Sequence, residues 1–112
     1  MKDLRDYKEN IKSAVKKERD NDPNWSWNIK SINKTIAKIG WGYLDYIGET
    51  DSFTVEIVDD DECDLHVVVG TIPNGCKLHI FIGENHWDDV KTFQEGIEKV
   101  IHSMARSAHN TY

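Results

Sequence analysis

The stretch from Asp64 to Gly83, DLHVVVGTIPNGCKLHIFIG, constrains this chain most, because it is a nearly continuous apolar run in a sequence that is 30% charged, and it carries its own turn. Val and Ile dominate both arms. Such β-branched side chains lose rotamer freedom in a helix and pack well on a pleated strand. Between the arms, Ile72-Pro73-Asn74-Gly75 suits a type I turn, with Pro presetting the second position and Gly supplying a left-handed residue. A β-hairpin is the expected structure.

Pairing the arms about that turn sets Val69 opposite His79 and Val68 opposite Ile80. The two-residue period of a strand then gathers Val68, Ile72, Leu78, Ile80 and Ile82 on one face. It gathers Leu65, Val67, Val69, His79 and Phe81 on the other. With both faces largely apolar, the hairpin is expected near the centre of its sheet. One layer of helices would cover only one of those faces, which makes the other a candidate interface with a second copy or a partner.

At 112 residues and 13.0 kDa the chain is expected to form one domain around one core. Hydrophobic residues make up 38% and mean hydropathy is −0.63, values of a soluble domain rather than a disordered chain. MKDLRDYKEN is charged from its second residue, so neither a secretory signal nor a membrane span is expected, and the cytoplasm is the expected compartment. Cys63 and Cys76 fall near opposite ends of one expected strand, about 20 Å or more apart, and are expected as free thiols.

The net charge of −6 is unevenly spread: residues 1–40 carry +4 and residues 41–112 carry −10. An acidic surface of that extent is repelled by phosphate, so direct binding of nucleic acid by the whole domain is not expected.

In residues 2–20, Leu4, Tyr7, Ile11, Ala14 and Val15 recur at helical spacing, and Asn21-Asp22-Pro23-Asn24 ends that helix. A second helix is expected from Trp25 or Ser26 to Gly40, because Trp25, Ile29, Ile32, Ile36 and Ile39 recur at four-three-four-three spacing. In that helix Trp25 and Trp27 could not share a face, so one would be core and the other more exposed. Lys30, Lys34 and Lys38 would line one face of it, as Lys8, Lys12 and Lys16 line one of the first helix. Such rows are either ordinary solvated faces or contacts for phosphate or an acidic partner.

From Trp41 the period changes to two, which predicts strands from Trp41 to Ile47 and from Phe53 to Ile57 ahead of the hairpin. The last helix is expected to open at Asn85 as N-cap, with Asp88 in capping-box position. Its apolar face would be Trp87, Val90, Phe93, Ile97, Val100, Ile101 and Met104, with Gly96 in mid-helix and a frayed tail from Ser107 to Tyr112. The expected fold is therefore α+β: two N-terminal helices, a four-stranded antiparallel meander, and a C-terminal helix packed on the sheet.

Cys63-x-x-His66 and Cys76-x-x-His79 have the ligand count of a structural zinc site. Residues three apart on a strand point to opposite faces, however, and the hairpin holds the two pairs out of step, so no metal site is expected. The run Asp59-Asp60-Asp61-Glu62-Cys63-Asp64 lacks the central Gly and terminal Glu of a calcium loop. It is either a solvated loop or, with Glu49 and Asp51 and further acids at Glu56, Glu84, Asp88 and Asp89, an acidic rim resembling a phosphate track. The sequence contains no nucleophile paired with a His and an orienting acid, no Gly-rich phosphate loop and no dinucleotide fingerprint, so neither an enzyme nor a cofactor is expected.

The functional expectation is a small acidic binding protein of inhibitor or immunity type, in the style of phage or mobile-element anti-defence proteins. It would block a larger, nucleic-acid-processing enzyme through Glu49, Asp51, Asp59, Asp60, Asp61, Glu62 and Asp64. The alternatives are a homodimeric adaptor using the apolar sheet face, and nucleic-acid binding by the basic helices.

Overall fold

The computed structural model describes residues 2–23, 25–43, 51–72 and 76–111. A single 3-10 turn over Leu4–Tyr7 leads into helix α1, Lys8–Asn21. Five strands follow: β1 Trp25–Ile32, β2 Ile36–Tyr43, β3 Asp51–Asp60, β4 Leu65–Ile72 and β5 Cys76–Phe81. Helix α2, Phe93–Thr111, closes the described chain. The strands form one antiparallel sheet in sequence order, β1-β2-β3-β4-β5. The architecture is α+β as expected, with five strands in place of four and one N-terminal helix in place of two.

The expected second helix is the hairpin β1–β2, and its apolar spacing has a strand origin. Trp25, Trp27 and Ile29 alternate with Ser26 and Asn28 toward one side of the sheet. A bulge between Ile29 and Ser31 then inserts one residue, so that Ile29 and Ile32, three apart, both pack against the core. The turn at Asn33, whose N–H donates to Ile36 O at 2.9 Å, supplies the next step of four, to an Ile36 that pairs with Glu56 on the other side of the sheet from Ile39. Bulge and turn together imitate a helical period. Trp25 and Trp27 are both buried on one face, with rings stacked at 6.1 Å and 20°. Lys30 and Lys38 are exposed on neighbouring strands and Lys34 lies in the turn, so the expected lysine row does not form.

The register of the central hairpin is as expected: Val69 pairs with His79 and Val68 with Ile80. Its turn residues 73–75 lie outside the described residues. The hairpin is not central, since β4 is flanked on both sides but β5 forms an edge. Cys63 lies in the β3–β4 turn and is a free thiol, while Cys76 pairs with Ile72 at the opposite end of β4. Strand β2 begins five residues before the strand expected from Trp41, and residues 44–50 lie outside the described residues.

Both helices lie on one side of the sheet. Helix α1 packs on β1 and α2, and α2 packs on β4, β5 and β3. The core between the layers joins Leu4, Ile11 and Val15 to Trp27, Ile39, Trp41 and Phe53, and to Val68, Ile97, Val100, Ile101 and Met104. Residues with fully polar neighbours in sequence, such as Ile11, are fully buried here because the helical period brings them to the sheet.

Helix α2 begins seven residues later than expected, its cap at Thr92 rather than Asn85. Asn85 N–H does donate to Asp88 Oδ2 at 3.0 Å, one limb of the expected capping box, but this closes a lone turn. The chain beyond it is held to the edge of β5: Asp89 and Val90 N–H both donate to Phe81 O, at 3.0 and 3.2 Å. The cap of α2 is Thr92, whose Oγ1 accepts from Glu95 N–H at 3.2 Å. The helix then runs through the expected frayed tail to Thr111, with Ala108 fully buried. Gly96 reflects a close approach: a Cβ there would meet Ile82 Cδ1 at 2.6 Å and Val68 Cγ2 at 3.0 Å.

Candidate functional site

The β3–β4 turn, residues 61–64, projects from one end of the sheet, where the alternation of β3 divides the acidic run. Asp59 shares the helix side of the sheet with Phe53, Val55 and Ile57, directly across from His66. Its Oδ1 lies 2.6 Å from His66 Nδ1, and its Oδ2 accepts the Lys2 backbone N–H at 2.7 Å. Asp60, on the other side, turns its Oδ1 back onto the loop, accepting from Glu62 and Cys63 N–H at 3.0 and 3.3 Å. Asp64 has φ of 49°, the left-handed conformation that lets the chain re-enter β4, and its Oδ1 lies 3.4 Å from His66 Nε2.

These contacts set the charges. Hydrogen bonding to Asp59 raises the His66 pKa above its ordinary value against the opposing effect of burial, with Asp59, Asp64 and Asp61 adding negative charge. Burial pushes the Asp59 carboxyl up, yet the hydrogen bonds from His66 and the Lys2 amide outweigh it and leave its pKa lowered. Donor atoms of Asp59, Asp61 and His66 lie within 4.8 Å of one another, and these are the described residues whose ligand types converge. Asp59 and His66 are engaged with each other there. The two Cys-x-x-His pairs do not converge, since His66 faces the helices and His79 the opposite side.

Of the seven expected partner-binding residues, the structure leaves Asp61, Glu62 and Asp64 exposed together on the turn, with Asp60 half-buried beside them. Asp59 is turned inward. Asp51 pairs with Trp41 at the far end of β3, about 30 Å from Asp60 along a ten-residue strand, so it does not belong to the same rim. Glu49 lies outside the described residues.

A second loop joins the acidic turn. Ile82 N–H donates to His66 O at 2.8 Å, which sets the β5–α2 connection beside the start of β4. That connection carries exposed Glu84 and Asp89, half-buried Asp88, and Trp87, which is 67% exposed with its ring edge-on to His86 at 4.8 Å. Leu65, 39% exposed, and Phe81, 42% exposed, lie at this same end of the sheet. Sequence patterning assigned Trp87 to the buried stripe of a helix. The signal against that assignment was Asp88-Asp89, two acids whose carboxylates bond backbone N–H groups of Asn85 and Phe81.

No known family, curated protein or solved structure matches this chain.

Proposed function

We propose that the protein is a small acidic binding domain that docks the end of its sheet, the β3–β4 turn and the adjoining Trp87 loop, on a basic surface of a larger protein. The observation that carries this is the placement of exposed Trp87 at the same end as exposed Asp61, Glu62, Asp64 and Glu84. An exposed indole offers a large apolar surface, and Trp is among the residue types enriched at interface hot spots. The surrounding carboxylates steer association toward positive potential and discriminate against neutral surfaces. The target class that suits this chemistry is an enzyme whose groove is shaped for phosphate, which the domain would block as an inhibitor or immunity protein does.

The test is capture from a host-type lysate after nuclease treatment, with wild-type protein, Trp87→Ser and the triple variant Asp61→Asn/Glu62→Gln/Asp64→Asn. One dominant protein retained by the wild type should bind Trp87→Ser about 30-fold more weakly, the scale of a hot-spot residue. The triple variant should bind more weakly and with a flatter salt dependence. A partner held equally by all three would refute the reading.

A further inference from the structure

The side of the sheet away from the helices carries a pattern of its own. No described helix covers it, yet Val67 and Val69 are only 4% and 6% exposed and stand outside the core cluster that joins the helices to the sheet. The strand registers arrange this side in rows. Nearest the acidic turn are Asp60 and Leu65. Next come Val58, Val67 and Phe81, then Ile36, Glu56, Val69 and His79. The row after that is Lys38, Thr54, Thr71 and Lys77, with a lysine at each flank. Over about 20 Å along the strands, the face passes from the acidic turn, through a mainly apolar middle that holds Glu56 and His79, to a row flanked by lysines.

That gradient is complementary to itself when reversed. We propose that this face binds a second copy of the chain, sheet against sheet, with the strands of the two copies running in opposite directions. A two-fold axis crossing the strands between the two central rows lays exposed Phe81 of one copy on exposed His79 of the other and Val58 over the stem of Glu56, with the already buried Val67 and Val69 beneath them. It also sets the acidic turn of each over the Lys38 and Lys77 row of the other. The alternative two-fold, parallel to the strands, stacks acidic turn on acidic turn and is disfavoured by like charge. Sheets pack in this aligned fashion at about 10 Å with a crossing near −30°. The footprint, roughly 20 by 20 Å on each copy and so about 800 Å² in total, is smaller than a standard specific interface and matches a weak, transient association in the high micromolar range.

The dimer and the docking of a target share the acidic turn, but Trp87 belongs to the docking surface alone and Phe81, Lys38 and Lys77 to the dimer alone, so variants at those positions tell the two apart. Sedimentation velocity between about 5 and 500 µM should show the mass rise from 13.0 kDa toward twice that value. Phe81→Asp, at an exposed position where folding is checked by far-UV circular dichroism, should weaken association at least tenfold. Lys38→Glu/Lys77→Glu should also weaken it tenfold, and adding Asp61→Lys/Glu62→Lys in the same chain should restore it. Trp87→Ser should leave the dimer intact. A mass fixed at 13.0 kDa at the highest concentration overturns the proposal. So does a dimer indifferent to Phe81→Asp or to the lysine reversal. If Phe81→Asp instead removes a captured target from a monomer, the face belongs to that target.

Discussion

His66 Nδ1 lies 2.6 Å from Asp59 Oδ1 directly across the β3–β4 pair, with the carboxylate also holding the Lys2 backbone N–H. The raised His66 pKa contributes stability that is complete below the unfolded value near 6.5 and is lost as pH rises through the folded value. The lowered Asp59 pKa contributes stability that is present above its unfolded value and is lost as pH falls through the folded one. The pair is therefore strongest between about pH 4 and 6.5. His66→Gln should cost about 1 kcal/mol near pH 5.5 and clearly less near pH 9, read from thermal melts at the two pH values. An equal loss at both would assign the effect to packing of the ring edge-on against Phe93, 6.4 Å away.

Asp64 holds φ of 49° in the acidic turn. Replacement by Gly and by Ala removes the same carboxylate, so the difference between them isolates the backbone. Asp64→Ala should be about 1 kcal/mol less stable than Asp64→Gly in urea titrations, because only Gly adopts that conformation without a Cβ penalty. Identical midpoints would show that the turn relaxes to another conformation.

Gly70 lies where β4 closely approaches α2. A Cβ there would meet Val100 Cγ1 at 2.7 Å and Met104 Cγ and Sδ at 2.8 and 2.9 Å. Gly70→Ala should destabilise the fold by about 1 to 3 kcal/mol, and Met104→Ala should compensate for part of that loss in the double variant. Additive losses in chemical denaturation would mean that Val100, stiff at its branched Cβ, carries the clash alone.

Thr92 caps α2, its Oγ1 accepting from Glu95 N–H and donating to Glu95 Oε1 at 3.3 Å. Thr92→Ala should cost about 1 kcal/mol, whereas Asn85→Ala, at the start of the lone turn, should cost less than half of that. Comparable losses from the two, measured by denaturant midpoint, would place the effective cap at the earlier turn.

The parts of this fold legible in the sequence are those where one period runs unbroken. The β4–β5 register follows from alternation about a single turn, and α1 from a 3.6-residue stripe ended by Asn21. The β1–β2 hairpin was hidden because the bulge at Ile29/Ser31 and the turn at Asn33 broke the two-residue period into steps of three and four. The extra cue was Trp25-Ser26-Trp27-Asn28, whose alternation a helix leaves without purpose. At the candidate site, the acidic turn was visible from composition, but the inward rotation of Asp59 depended on knowing that β3 extends to Asp60. Trp87 was misplaced because the start of α2 is decided by backbone ties to the edge of β5, which no local spacing records.

Every strand in this sheet pairs only with its neighbours in the chain. Each hairpin can therefore close a short loop on one already formed, a route that favours rapid zippering over a long search. The most widely separated of the described side-chain hydrogen bonds joins the two helices, where Glu18 meets His102, 84 positions further along the chain. A chain emerging from the ribosome can complete its sheet well before α2 is available to cover it. Until then the apolar helix side of β3, β4 and β5 stands open, which makes the last 19-residue helix the step that ends the protein's exposure to aggregation.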